Sequence, residues 1–227
     1  MQLKSILLII IAFVAGAQAQ EPKPRETSNE QQAVTNDDQG RAFIINREST
    51  ALSGLSLAGG SVVSEPQQYS IFLGRDWAKP ELRARQSEFA NLLANQGDQA
   101  TLNALHESGV KNLFGPTLSR EKLDDLQGNI SDLDIQNILG SMVKDGSLPP
   151  PNPNTIYTVY LDPQLRSTLG AMFAGKHYAA YHNFFNVSGM NLHYVVVPFE
   201  ADRKAANQIA FRALVAAALN PTGSSSQ

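Results

Sequence analysis

Three of the chain's four histidines, His177, His182 and His193, fall in one short stretch, and imidazole is the side chain best suited to acid–base or metal chemistry near neutral pH. Neutral imidazoles on adjacent strands can converge on a metal ion, so these three are the candidate metal ligands. Strand alternation argues against convergence: His177 and His182 are five apart and would point to opposite faces of one regular strand. The expectation is therefore satisfied or edge-exposed histidines, with no metal and no cofactor. Around them, Tyr178, Tyr181, His182, Asn183 and Phe184 set aromatic faces beside an amide, a combination that suits a carbohydrate or peptide surface. The fourth, His106, falls near a helix C-terminus, where the macrodipole favours it.

Other catalytic arrangements find little support. The absence of cysteine removes a thiolate nucleophile, a thiolate metal site and a disulfide scaffold together. The acidic pairs Asp124-Asp125 and Asp132/Asp134 could suggest glycosidase chemistry, which needs two carboxylates across a sugar. Both fall in a loop or at a helix start, where capping and the helix dipole explain them. Gly54-Leu55-Ser56-Leu57-Ala58 loosely mimics a nucleophile elbow but lacks the strand that must precede one. No phosphate-binding or dinucleotide fingerprint is present. A net charge of −3 without a basic stripe speaks against a nucleic-acid partner.

The elements that must position these residues begin after an export signal. Lys4, the apolar run Ile6 to Val14 and Ala17-Gln18-Ala19 read as the three parts of a signal peptide over residues 1–19. The run is shorter than the roughly 20 residues of a membrane span, and no later segment replaces it. The expected location is extracellular, or periplasmic in a Gram-negative bacterium, with no membrane contact after cleavage. Residues 20–58 are polar and read as a disordered leader, although Ala42 to Asn46 is an apolar patch able to dock on the domain. The domain itself is expected over 59–221, with a polar tail at 222–227. The sequons at Asn129 and Asn186 matter only in a eukaryotic secretory pathway.

Within the domain, Ser61 to Ser64 and Tyr69 to Leu73 read as strands, and Pro80 opens a helix carrying Leu82, Phe89, Leu92 and Leu93. A short helix follows from about Asp98 to Gly109, and Val110 to Pro116 reads as extended. Ser131, with Asp134 three residues on, caps a helix whose apolar stripe is Ile135, Ile138, Leu139, Met142 and Val143. Thr155 to Leu161 is a strand after a stiff proline connector. His177 to Asn186 and Met190 to Pro198 flank a hairpin turn, and an almost wholly apolar helix runs from Asp202 to Asn220-Pro221. Strands interleaved with helices give an α/β or α+β layered domain on a mixed sheet.

Several of these stretches resemble a known family. Gly59-Gly60-Ser61-Val62-Val63, then Tyr69 to Gly74 and Trp77, are similar to the opening strands of the phosphate-induced, EXORDIUM-like secreted proteins and their bacterial relatives. Asp134 to Leu161 is similar to the middle of the bacterial members, Tyr181-His182 to their Tyr-His element, and Tyr194 to Pro198 to the strand that follows. The resemblance implies a zincin-like architecture, with a histidine and two acidic residues on the last helix before an Asp-Pro or Asn-Pro stop. Alignment on Asn220-Pro221 puts Arg212, Ala213 and Ala216 at those positions. A guanidinium repels zinc, and alanine neither ligates metal nor acts as a base.

The resulting expectation is a secreted, non-catalytic EXORDIUM-like domain with a binding or wall-associated role, its partner a carbohydrate or cell-wall component. The alternatives are a metal-dependent hydrolase using the hairpin histidines, and a structural or interaction module.

Overall fold

The computed structural model describes residues 33–36, 40–47, 62–92, 99–111, 118–122 and 124–222. The signal segment, Gly54–Ala58, Ser61, most of Val110–Pro116 and the tail beyond Thr222 lie outside the described residues.

Among the described residues ten strands and four α-helices follow in order: β1 (Ala33–Asn36), β2 (Gly40–Ile45), β3 (Gln67–Leu73), α1 (Pro80–Ala90), α2 (Gln99–Glu107), β4 (Leu118–Lys122), β5 (Gly128–Ser131), α3 (Asp132–Lys144), β6 (Thr155–Leu161), β7 (Leu165–Leu169), β8 (Met172–Phe173), β9 (Ala180–Val187), β10 (Met190–Val197) and α4 (Arg203–Leu219). Seven strands form one mixed sheet in the order β1-β2-β9-β10-β6-β3-β4, and β5-β7-β8 form a second, smaller mixed sheet. The fold is therefore mixed α/β, with helices against both faces of the large sheet.

Strand β6 lies inside it, parallel to β10 on one side and to β3 on the other. All seven of its residues are buried, as the unbroken run TIYTVYL requires of a strand covered on both faces. Its even-numbered residues Ile156 and Tyr160 join the core beneath α1, α2 and α4. Its odd-numbered residues Tyr157, Val159 and Leu161 join the opposite core, with α3, β5 and β7.

Helix α3 starts at a reciprocal capping box: Ser131 Oγ accepts from Asp134 N–H at 3.2 Å, and the Asp134 carboxylate accepts from Ser131 N–H at 2.9 Å. Helix α4 is capped by Asp202, whose carboxylate accepts from the N–H groups of Lys204 and Ala205. The β9–β10 hairpin turns through Ser188 and Gly189, both at positive φ (52° and 86°), which matches the twist of the strands it joins.

Two boundaries differ from the sequence reading. The segment read as a leader contributes β1 and β2, and β2 pairs with β9 so that Phe43 lies opposite His182. The patch Ala42 to Asn46 thus completes the sheet, because an edge strand at β9 has main-chain groups to pair. Residues 62–66 form no strand; Val63 N–H instead donates to Ala218 O at 2.8 Å, pinning this loop to the end of α4.

Candidate functional site

The candidate residues of the hairpin do not form one site, because strand alternation divides them between the two faces of the sheet. Tyr181, Asn183 and Tyr194 face α3. His182 and His193 face α4: Val195, opposite His182, belongs to the core beneath that helix, and the His193 ring contacts Pro221 just past its end.

On the α3 side the centre is Asp132, a residue read from sequence as a helix-start acid. It is 3% exposed, and its carboxylate accepts four side-chain hydrogen bonds. Oδ1 accepts from the hydroxyls of Tyr181 at 2.7 Å and Tyr194 at 2.6 Å. Oδ2 accepts from Gln136 Nε2 at 2.9 Å and Asn183 Nδ2 at 3.1 Å. Gln136 also donates to the Tyr194 oxygen at 3.0 Å, which closes the network. Burial, with the Asp132 carboxylate as the next cause, holds both phenols well above the ordinary tyrosine pKa, so they remain donors. Tyr178, buried beside Tyr181, donates to Ser167 Oγ at 2.9 Å, and burial pushes its pKa up to about 12. Each Asp132 carboxylate oxygen accepts two side-chain hydrogen bonds, and the group is almost wholly buried. Its chemistry is positional: it ties the start of α3 to β9 and β10.

On the α4 side, His182 is fully buried and its ring stacks on Phe43 with centroids 4.9 Å apart. Neither ring nitrogen has a hydrogen-bond partner among the described residues. Burial, followed by the neighbouring His193, lowers its pKa from 6.5 to about 3. His193 Nδ1 lies 3.1 Å from the Pro221 carbonyl oxygen; since that oxygen can only accept, Nδ1 carries the proton. Burial also lowers the His193 pKa, against the raising effect of this bond. His177 stands apart, exposed in the turn after β8 and outside the strand expected to hold it, with Nδ1 accepting from Phe173 N–H at 2.9 Å. The three histidines do not meet. Among the described residues no group of three His, Asp or Glu side chains is placed to hold a metal ion.

The expected binding surface needs correction. Tyr178, Tyr181, His182 and Asn183 are all buried, and Phe184 alone is partly exposed. Their aromatic and amide groups fill the two cores in place of forming an open platform. On α4, Ala213 and Ala216 are buried in the core facing the sheet. Arg212 has no carboxylate partner among the described residues; Nη2 donates to the carbonyl of Asn46 at 2.9 Å and to that of Arg47 at 3.5 Å. Arg212 thus clamps the end of β2. Burial depresses the Arg212 pKa.

Sequence reasoning missed Asp132 itself. Gln136 one turn on, and the polar residues Tyr181, Asn183 and Tyr194 alternating within otherwise apolar strands, were the available signals. No family model, curated protein or solved structure matches the chain.

Proposed function

We propose that the chain is an exported, EXORDIUM-like domain that works by binding, with a carbohydrate or cell-wall component as its partner, and that its mature form begins near Gln20. The observation that carries this reading is the saturation of Asp132. The Asp132 carboxylate is committed to four donors and serves as a post for α3. The last helix points the same way, since Arg212, Ala213 and Ala216 supply packing and a strand clamp where the resembled family has metal chemistry.

The test exposes secreted protein to insoluble glycans and wall fractions, and maps its N-terminus by mass. Saturable retention of a chain beginning near Gln20 supports the reading; an intact Met1, or no retention on any fraction, counts against it. The unpartnered nitrogens of His182 favour one rival, a metal-dependent hydrolase. One zinc per chain after mild purification, lost with a chelator and in His182→Ala, would establish that rival.

A further inference from the structure

Strand β2 holds to the rest of the sheet by few ties. It pairs with β9 through Phe43, Ile44 and Ile45, whereas β9 pairs with β10 all the way from Tyr181 to Val187. Beyond that short ladder, Ala179 N–H donates to Ile45 O at 2.8 Å, Arg212 Nη2 donates to Asn46 O at 2.9 Å, and Arg47 pairs with Glu200. On its other side β2 meets the edge strand β1. Ala42 and Ile44 pack into the core with α3, and Ile45 and the partly buried Phe43 into the core beneath α4. Sub-global opening follows the element with the fewest ties to the remainder, and here that unit is β1 with β2.

What β2 covers is the His182 ring, fully buried under Phe43 and with neither nitrogen hydrogen-bonded among the described residues. Its surroundings offer nothing to a proton. From β10 it meets Val195 and the imidazole of His193, whose own proton points to Pro221 O. From α4 the charged group at this end of β2 is Arg212, a cation turned onto the Asn46 carbonyl. From β2 comes the Phe43 ring, and past its end the Arg47–Glu200 pair is closed on itself. Among the described residues no carboxylate is bonded to the ring or offsets its charge. A proton on the covered ring thus lacks both an acceptor and a counter-charge, whereas water would solvate it.

We propose that β1 and β2 form an acid-released strap: a proton taken up by His182 favours a state in which β2 has left β9 while the remaining strands stay paired. This goes beyond the binding reading and does not rest on it. The covered ring takes its proton at about 3, the uncovered ring near the ordinary 6.5. Between these values the closed strap holds a neutral ring and the open one a charged ring. Each pH unit below 6.5 therefore multiplies the ratio of open to closed by about ten, and pH 4.5 raises it by up to about one hundredfold over pH 7. Release bares the main chain of β9 at Ala180, Tyr181 and His182.

The test is amide hydrogen exchange of the intact protein at pH 7 and pH 4.5, corrected for the pH dependence of exchange in an unstructured chain and repeated in low urea. Residues 42–46 should lose protection by roughly ten- to one-hundredfold at pH 4.5, through an opening that depends weakly on urea. Residues 155–161 of β6 should stay better protected, and exchange only through an opening that depends steeply on urea. His182→Phe should remove most of the fall at 42–46, and His193→Gln should leave it in place. Phe43→Ala covers the case in which His182→Phe does not fold: by uncovering the ring it should lower protection at pH 7 and shrink the further fall at pH 4.5. Equal protection of 42–46 at the two pH values would overturn the proposal. So would an undiminished fall in His182→Phe or in Phe43→Ala, or a common urea dependence for 42–46 and 155–161, which would mean that the whole domain opens at once.

Discussion

Removing the Asp132 carboxylate strips four donors of their common acceptor, and the geometry sets the size of the loss. Hydrogen bonds to a charged group contribute about 1.5–3 kcal/mol each. The two phenol bonds, at 2.7 and 2.6 Å, are the shorter pair, and the two amide bonds, at 2.9 and 3.1 Å, the longer. Part of the loss is recoverable, because Gln136 already donates to Tyr194 and can keep doing so. Asp132→Ala should therefore cost about 3–5 kcal/mol, or roughly 10–15 °C in Tm for a domain of this size. Asp132→Asn is the control for shape. Its amide nitrogen can face the two phenols, whose oxygens accept as well as donate, while its oxygen still accepts from Gln136 and Asn183. That variant should cost only about 1–2 kcal/mol. Urea unfolding followed by fluorescence of Trp77, the chain's one tryptophan and a buried one, measures both. The reasoning fails if Asp132→Ala lies within about 1 kcal/mol of the wild type, or if Asn costs as much as Ala.

Acid should unfold the protein partly through His182. Folded, it stays neutral down to about pH 3, whereas an unfolded imidazole takes its proton near 6.5, so the unfolded state binds more protons between these values. Stability present above pH 6.5 is then lost as pH falls toward 3, by on the order of 5 kcal/mol, and His193 contributes in the same direction. His182→Phe, which preserves a ring against Phe43, should flatten the stability profile over that range; an unchanged slope in a urea series from pH 7 to 4 would contradict the assignment. Gly74 has φ 110°, and a Cβ there would fall on the Asp162 carboxylate, which accepts from Asp76 N–H at 2.8 Å and Gln164 N–H at 2.9 Å. Gly74→Ala should cost about 2–4 kcal/mol by chemical denaturation, and a neutral result would show that the loop relaxes freely. Ser188→Asn, at φ 52°, should stabilise the hairpin by about 0.5 kcal/mol, seen as a higher urea midpoint with unchanged slope.

What could be read from sequence was what neighbours along the chain decide. The α3 cap is set by Ser131 and Asp134, three residues apart, and β6 by its own unbroken run of β-branched and aromatic residues. The hairpin was legible through its turn. Strand β4, LSREK, carries alternating charges on the exposed edge of the sheet and has no apolar face to betray it. Strands β7 and β8 are short and hold only part of one small sheet. Asp132 and Asp134 show the limit most directly. Both are acids in the first turn of one helix; one caps it, while the other meets Tyr181 and Tyr194, which lie 49 and 62 residues further on. No local rule separates them. The division of His182 from Tyr181 and Asn183 did follow from strand alternation, but which face each pair would meet depended on where α3 and α4 docked.

The late partner of β2 imposes an order on how the molecule comes together. Phe43 and Ile44 emerge early in synthesis, yet the strand they pair with, around Tyr181 and His182, is made near the end, as is the Arg212 side chain that grips Asn46. Until then both edges are open, and closing so long a loop is slow. A fragment begun at Gly59 would never close: its β9 would present a bare row of main-chain donors and acceptors beside the exposed ring of His182. Such an edge recruits another strand, most readily the same edge of a second copy. Strand β2 thus occupies the pairing groups of β9, and Phe43 covers the ring of His182.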